Sequence, residues 1–210
     1  MQVKRFVGGP LPTNCYLLTD ETTGSTAVVD PGFESEELTN AVLAAGRGNV
    51  KAILLTHGHF DHIAGVAKLK ELTHAKVYLY TDELAFVSDG SLNLAGMFYE
   101  GRVEPFGVDV PLNDGEKFEL GSAEIRVIHT PGHTCGGCCF QVGDALFTGD
   151  TLMKLSCGRT DFPTGSYSQL LDSLRRLRDL PGDYHVYPGH GSESALAYER
   201  RNNSFMGPNP

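Results

Sequence analysis

With 210 residues, the chain can build one substantial hydrophobic core but not comfortably two, so a single domain over residues 1–210 is expected. Its 26 acidic and 17 basic side chains leave a net charge of −9, and phosphate binding needs a basic face, so nucleic acid is not an expected partner. The apolar share of 40% suits an ordinary globular protein, and no apolar run follows Met1-Gln2-Val3-Lys4-Arg5, so neither a signal peptide nor a membrane span is expected.

Residues 14–19 read as a strand, residues 20–25 as a turn and residues 26–30 as a second strand of the same hairpin. Asp30-Pro31-Gly32 ends it, and aspartate before Pro-Gly is a good turn cap. Leu38, Ala41, Val42 and Ala45 have helical spacing. Lys51-Ala52-Ile53-Leu54-Leu55 is a short apolar run of the kind that forms a buried strand, and residues 63–72 again have helical spacing. Between them stands Thr56-His57-Gly58-His59-Phe60-Asp61-His62, with three histidines and an aspartate in six positions on a strand-to-helix turn. In an extended segment His57 and His59 point the same way. Asp61 falls in the first helical turn, where a carboxylate suits the helix dipole, and His62 follows it. Imidazole with carboxylate suits zinc, iron or manganese.

Lys76-Val77-Tyr78-Leu79-Tyr80 reads as a strand, and Thr81-Asp82 as a helix start. Residues 89–102 interleave glycine with Leu92, Leu94, Met97, Phe98 and Tyr99; such an insertion serves either as a lid over a site or as a loop or short helix packed on the core. From Pro105 the pattern turns to short alternating runs separated by turn signals at Asn113-Asp114-Gly115-Glu116 and Leu120-Gly121-Ser122. Three strand-like runs then each deliver a candidate ligand: residues 125–129 lead to His133, residues 145–148 to Asp150 and residues 184–187 to His190. Residues 167–177 read as a helix with Arg175, Arg176 and Arg178 on or near its solvent side, residues 192–201 as a last helix, and residues 202–210 as a frayed tail. His74, His129 and His185 lie outside ligand contexts and are expected to be structural or exposed. Five cysteines without a secretory signal argue for reduced thiols and a cytoplasmic location. Cys135-Gly136-Gly137-Cys138 has the spacing of a redox switch or an extra metal site, but small packing residues on a tight turn entering a strand are the preferred reading.

The cluster from His57 to His62 resembles the His-x-His-x-Asp-His signature of the metallo-β-lactamase-fold hydrolases. His133, Asp150 and His190 follow in that family's order, so the resemblance covers nearly the whole chain. It implies an α/β (α+β) fold, the αβ/βα four-layer sandwich, with two facing mixed sheets, helices outside and the metals at one edge. It also implies two divalent metal ions, with zinc, iron and manganese all compatible. His57, His59 and His133 would bind the first; Asp61, His62 and His190 the second; Asp150 would bridge them. Asp61 and Asp150 are the carboxylates expected in catalysis, and Asp30 would steady a ligand.

Two divalent ions about 3.5–4 Å apart can share a hydroxide and a carboxylate, and metal binding lowers the pKa of water from about 15.7 to about 7. No serine or cysteine nucleophile is then required. Residues 157–165, Cys-Gly-Arg-Thr-Asp-Phe-Pro-Thr-Gly, resemble the Gly-Arg-(Ser/Thr)-Asp loop of glyoxalase II-like hydrolases and persulfide dioxygenases. The β-lactamases lack that loop, so antibiotic hydrolysis is not expected. Arg159 and Asp161 are expected to pair and brace it. Residues 199–206 resemble the tail of short bacterial glyoxalase II-like proteins, with Ser204 where a proline usually stands. Long-form glyoxalase II holds glutathione with a C-terminal helical domain, and no counterpart of it is expected in these 210 residues. The leading expectation is a dinuclear hydrolase of a small-molecule thioester such as S-lactoylglutathione. The second is a mononuclear iron persulfide dioxygenase using His57, His133 and Asp150. The third is a metallohydrolase of another ester or a lactone.

Overall fold

The computed structural model describes residues 1–99 and 103–207. Six strands form the first sheet in chain order: β1 (Gln2–Gly8), β2 (Thr13–Thr19), β3 (Thr26–Val29), β4 (Val50–Leu54), β5 (Lys76–Tyr80) and β6 (Val110–Leu112). The first two pairings are antiparallel and the other three parallel. Parallel neighbours need a crossover, and helices supply it: α1 (Glu36–Ala45) before β4, then α2 (Phe60–Ile63) and α3 (Val66–Thr73) before β5. Between β5 and β6 lie a 3-10 helix, Thr81–Val87, and the short α4 (Ala95–Phe98). The second sheet contains β7 (Lys117–Leu120), β8 (Ala123–His129), β9 (Cys138–Val142) and β10 (Ala145–Gly149). After the hairpin of β11 (Leu152–Met153) and β12 (Ser156–Cys157) come α5 (Tyr167–Arg178), β13 (His185–Pro188), β14 (Ser194–Ala195) and α6 (Leu196–Asn202). The order in this sheet is β14-β13-β10-β9-β8-β7, and only β10 and β13 run parallel.

Strand alternation divides the core into layers. Val28, Ile53, Val77 and Leu79 pack with Leu38 and Val42 of α1 and with Val66 and Leu69 of α3. The intervening Ala27, Val29, Ala52 and Leu54 face Val127, Phe140, Val142 and Phe147 of the second sheet. Ile128, Cys139 and Leu146 point to the other side of that sheet and meet Leu170, Leu174 and Leu177 of α5. Those three leucines lie at i, i+4 and i+7 and are buried, and each contributes about 1.5–3 kcal/mol. The layers are therefore helix, sheet, sheet, helix, as the resemblance implied. Ser35 and Ser166 accept the N–H of Leu38 and Gln169, capping α1 and α5.

Several elements differ from the sequence reading. The helical run after the histidine cluster is two helices, because Gly65 breaks it where the chain passes Pro31 and Phe33; a Cβ on Gly65 would lie 2.6 Å from the Phe33 carbonyl oxygen. The last helix starts at Leu196, four residues later than expected, because Ser194–Ala195 pairs with β13 instead. Residues 203–207 are not frayed: Asn203 caps a 3-10 helix at Ser204–Met206, and Met206 is buried under α5. Local polarity suggested fraying, but that buried methionine and the Asn203 amide, bonded to Ser156 O at 3.0 Å, hold the segment. Residues 208–210 of that tail, and residues 100–102 of the Gly-rich insertion, lie outside the described residues. The rest of the insertion is a turn and α4, whose Leu94 and Ala95 pack on Phe60. No helix among the described residues is long and apolar enough to cross a membrane.

Candidate metal centre

All seven predicted ligands meet at one end of the two sheets, beyond the ends of strands, five of them on the connecting turns and Asp61 and His62 in α2. His57 to His62 follow β4, His133 follows β8, Asp150 follows β10 and His190 follows β13. Three sets of donors each lie within 4.8 Å of one another: His57, His59 and His133; His57, His62 and Asp150; and Asp61, His62 and His190. Most of these side chains are buried, which is costly for polar groups without partners.

The partners are specific. Asp30, at φ 49° at the end of β3, accepts the Thr56 N–H on Oδ1 at 2.8 Å. Its Oδ2 accepts the Thr56 hydroxyl at 2.7 Å and faces His62 Nδ1 at 3.0 Å. Because a carboxylate only accepts, His62 Nδ1 carries the proton. The Thr56 hydroxyl, already donating to Asp30, can only accept from His57 Nδ1 at 3.2 Å. His133 Nδ1 donates to the Arg159 carbonyl at 2.7 Å, and His190 Nδ1 to the Pro12 carbonyl at 3.0 Å. Four histidines thus spend one ring proton outward and turn an Nε2 lone pair inward, the arrangement metal-ligating imidazoles need. His59 is reversed. Its Nδ1 lies 3.1 Å from His57 Nε2 and 2.9 Å from His133 Nε2.

These convergent acceptors test the fit to a cation. Nitrogens about 2.0–2.1 Å from one tetrahedral ion stand about 3.3 Å apart, close to those two separations. Asp150 Oδ1 and the Nε2 atoms of His59 and His62 are buried without a hydrogen-bond partner. Asp150 faces both halves of the cluster, with Oδ2 3.6 Å from His133 Nε2 and 3.5 Å from His190 Nε2, and Oδ1 3.5 Å from His62 Nε2. Burial lowers the pKa of His57, as do its imidazole neighbours His62, His59 and His133. Burial alone would do the same to His62, but Asp61, Asp150 and Asp30 outweigh it and lift that pKa to about 10, so its Nε2 keeps a proton among the carboxylates unless a cation takes the proton's place. An inward cluster of lone pairs and carboxylates that repel or trap protons in this way fits divalent cations.

The backbone closes tightly around the cluster. A Cβ on Gly189, just before His190, would lie 2.2 Å from Asp150 Oδ1 and 2.7 Å from the His62 ring. Thr13, Asn14 and Tyr16 of β2 were not foreseen. Thr13 donates its hydroxyl to Asp61 Oδ2 at 3.0 Å, while the Asn14 amide and the Tyr16 hydroxyl donate to the Pro188 carbonyl at 2.8 and 2.7 Å. The first strand hairpin therefore holds the His190 turn of the other sheet. Glu83 was also missed. It is fully buried in the 3-10 helix, and its two oxygens accept the N–H of Gly58 at 2.9 Å and of Gly136 at 2.8 Å. Burial raises its pKa, against the pull of its hydrogen bonds. One carboxylate thus joins the loop bearing His57 and His59 to the loop just after His133. No local spacing signals either contact, since both link distant segments.

Arg159 and Asp161 form a two-pronged pair with both contacts at 2.6 Å, and the guanidinium lies 4.0 Å from the Phe162 ring centre. His74 closes α3 in the left-handed conformation, His129 stacks on Tyr80, and His185 pairs with Glu193. All five thiols are free; Cys138 is buried in β9 and Cys135 is half-buried.

Above the cluster opens a cleft of about 390 Å³. Its non-ligand lining consists of Leu11, Phe60, Leu94, Phe98, Met153 and Phe162 with Arg159.

The chain is similar to known proteins over most of its length. The chain is 34% identical over 197 residues to the hydroxyacylglutathione hydrolase GloC of Haemophilus influenzae, covering 92% of each protein. The crystal structure of BLEG-1 B3 metallo-beta-lactamase superposes with a TM-score of 0.87 at 32% identity, covering 98% of this chain and 99% of that one. TTHA1623 in a di-iron-bound form gives 0.84 at 35% identity, covering 97% and 100%. ETHE1 from Myxococcus xanthus gives 0.79 at 29%, covering 97% and 84%. The family model of the metallo-beta-lactamase superfamily matches residues 8–190, from the end of β1 to the last histidine of the cluster, and the chain belongs to that superfamily as a metal-dependent hydrolase.

Proposed function

We propose that the protein is a dinuclear metal-dependent hydrolase of thioesters, with S-lactoylglutathione as the reference substrate. His57, His59 and His133 would hold one ion and Asp61, His62 and His190 the other, with Asp150 shared by both sets. When bound, two divalent ions supply an activated water at neutral pH and a Lewis acid for a carbonyl. Asp30, Thr56, Arg159 O and Pro12 O fix the imidazole tautomers, and Asp61 and Asp150 supply the negative charge that holds two cations side by side.

The observation that carries this reading is the fully equipped second set. His190 has its Nδ1 committed to Pro12 O, and its Nε2 lies 3.2 Å from Asp61 and 3.5 Å from Asp150. A mononuclear dioxygenase built on His57, His133 and Asp150 has no use for it. The structural likeness to ETHE1 keeps that oxidative reading as the second. The relative named hydroxyacylglutathione hydrolase supports the first. Zinc, iron and manganese all suit the donors, and the di-iron form of TTHA1623 makes iron a specific candidate.

The test measures metal per chain, then thiol release from S-lactoylglutathione with and without chelator, beside oxygen uptake on glutathione persulfide. Two ions per chain with chelator-sensitive thiol release and no oxygen uptake support the hydrolase. Oxygen consumption with no thiol release would overturn it. A chromogenic cephalosporin belongs in the same assay because of the likeness to BLEG-1; turnover of it above that of the thioester would replace the proposed substrate class.

A further inference from the structure

The residues above the metal cluster differ in character from the cluster itself. Six of the seven non-ligand side chains lining the cleft are apolar, and three are aromatic: Phe60 of α2, Phe98 of α4 and Phe162 of the loop after β12. Of these, Phe98 and Phe162 come from segments outside the histidine cluster. These two meet edge to face with ring centres 5.6 Å apart, and Phe162 also lies 6.2 Å from the His59 ring. The aromatic wall therefore begins beside a predicted ligand and runs outward to the mouth. There Phe98 is 48% and Leu11 45% exposed. Large apolar side chains gathered at one opening mark a place where an apolar partner is covered.

The single charged lining side chain outside the ligands is Arg159, and both arms of its fork are on Asp161. Among the described residues the cleft thus offers no free cation to the carboxylates of a peptide thiol. Its volume of about 390 Å³ lies in the range of small-molecule sites and leaves room for an acyl chain along the apolar wall.

We infer that the preferred substrates are thioesters whose acyl group is an extended apolar chain, seated between Phe98, Phe162, Leu11 and Met153. This rests on the hydrolase reading and narrows it. The reaction remains hydrolysis: water adds across the acyl carbon–sulfur bond, giving a carboxylic acid and a thiol.

The experiment uses metal-loaded protein and S-acyl-N-acetylcysteamine thioesters from acetyl to octanoyl, whose thiol carries no charge, with S-lactoylglutathione alongside. Each buried methylene should raise kcat/KM by roughly threefold to fourfold until the cleft is filled. Phe98→Gln should flatten that slope, and the exposure of Phe98 makes loss of the fold an unexpected complication. A metal-independent measurement accompanies the rates: S-octyl-N-acetylcysteamine, which cannot be hydrolysed, should bind more tightly by calorimetry than its S-ethyl counterpart. Thioester hydrolysis with rates flat or falling along the series, or octyl binding no tighter than ethyl, overturns the inference and leaves the hydrolase reading standing. Absence of thiol release from every thioester overturns both.

Discussion

The floor and the rim of the cleft share one pocket but are held by different physics. On the floor, His57, His59, Asp61 and His62 are buried, and every ring proton that can be placed goes to a named acceptor such as Asp30 or Arg159 O. On the rim, Phe98 and Leu11 are about half exposed and stand on a short helix and a connection between strands. The floor resembles a buried polar network, in which one missing partner leaves an unsatisfied group. The rim resembles a binding surface, in which each side chain adds area and little else depends on it. Changes to the floor should therefore abolish the chemistry, whereas changes to the rim should alter which molecule is accepted.

The largest effect is expected from Asp150→Ala. Losing a mere partner of a ligand costs about 10–100-fold in metal affinity or activity, and Asp150 itself faces both halves of the cluster. Its loss should remove at least one ion and lower turnover by more than that range, as read by elemental analysis and thiol release; full occupancy at a near-normal rate would remove Asp150 from between the metals. His190→Ala should lower the metal content from about two per chain to about one, and an unchanged stoichiometry would point to a single-metal enzyme.

Asp30→Asn comes next. Asparagine tolerates the positive φ of this position, so the change isolates the carboxylate that steadies His62 and Thr56. A loss of about 10–100-fold in metal affinity is expected, measured by competition with a chromogenic chelator. Glu83→Gln sharpens the contrast because it reaches the floor from outside the cleft. An amide has one acceptor oxygen where two backbone N–H groups need one each, so either the Gly58 or the Gly136 loop is released. Metal affinity should fall by about tenfold, toward the lower end of the same range, in the same competition assay. The gentlest change is Phe98→Ala. On the exposed rim it should shift stability by less than about 0.5 kcal/mol in a denaturant melt while altering the acyl preference; a larger loss of stability would show that the rim is part of the core after all.

The sequence made the floor legible because metal ligation demands particular residue types, and the chain delivers four of them in six positions. The remaining three follow strands whose apolar runs are equally plain. The layer arrangement was legible for a related reason: Val28 and Val29, or Ile53 and Leu54, alternate between two cores, a consequence of strand geometry alone. Asp30 could be read two ways, as a turn cap or as a support for the site, and the hydrogen bonds to Thr56 and His62 give it the second role at a left-handed position ending its strand.

What the sequence could not determine is every contact whose partners lie far apart along the chain. Glu83 looks like an ordinary acid in the first turn of a helix, yet the fold buries it between Gly58 and Gly136, 25 and 53 residues away. Thr13 reaches Asp61 across 48 residues, and Tyr16 reaches Pro188 across 172. The tail reads as frayed by its local polarity, but Asn203 and Met206 gain partners only once α5 and the β11–β12 hairpin are in place. Residue type and short spacing fix chemistry and local geometry, because ligand identity and strand alternation are local properties. Burial and the pairing of distant groups belong to the packed sheets, so only the tertiary structure decided how the centre is braced and what faces it across the cleft.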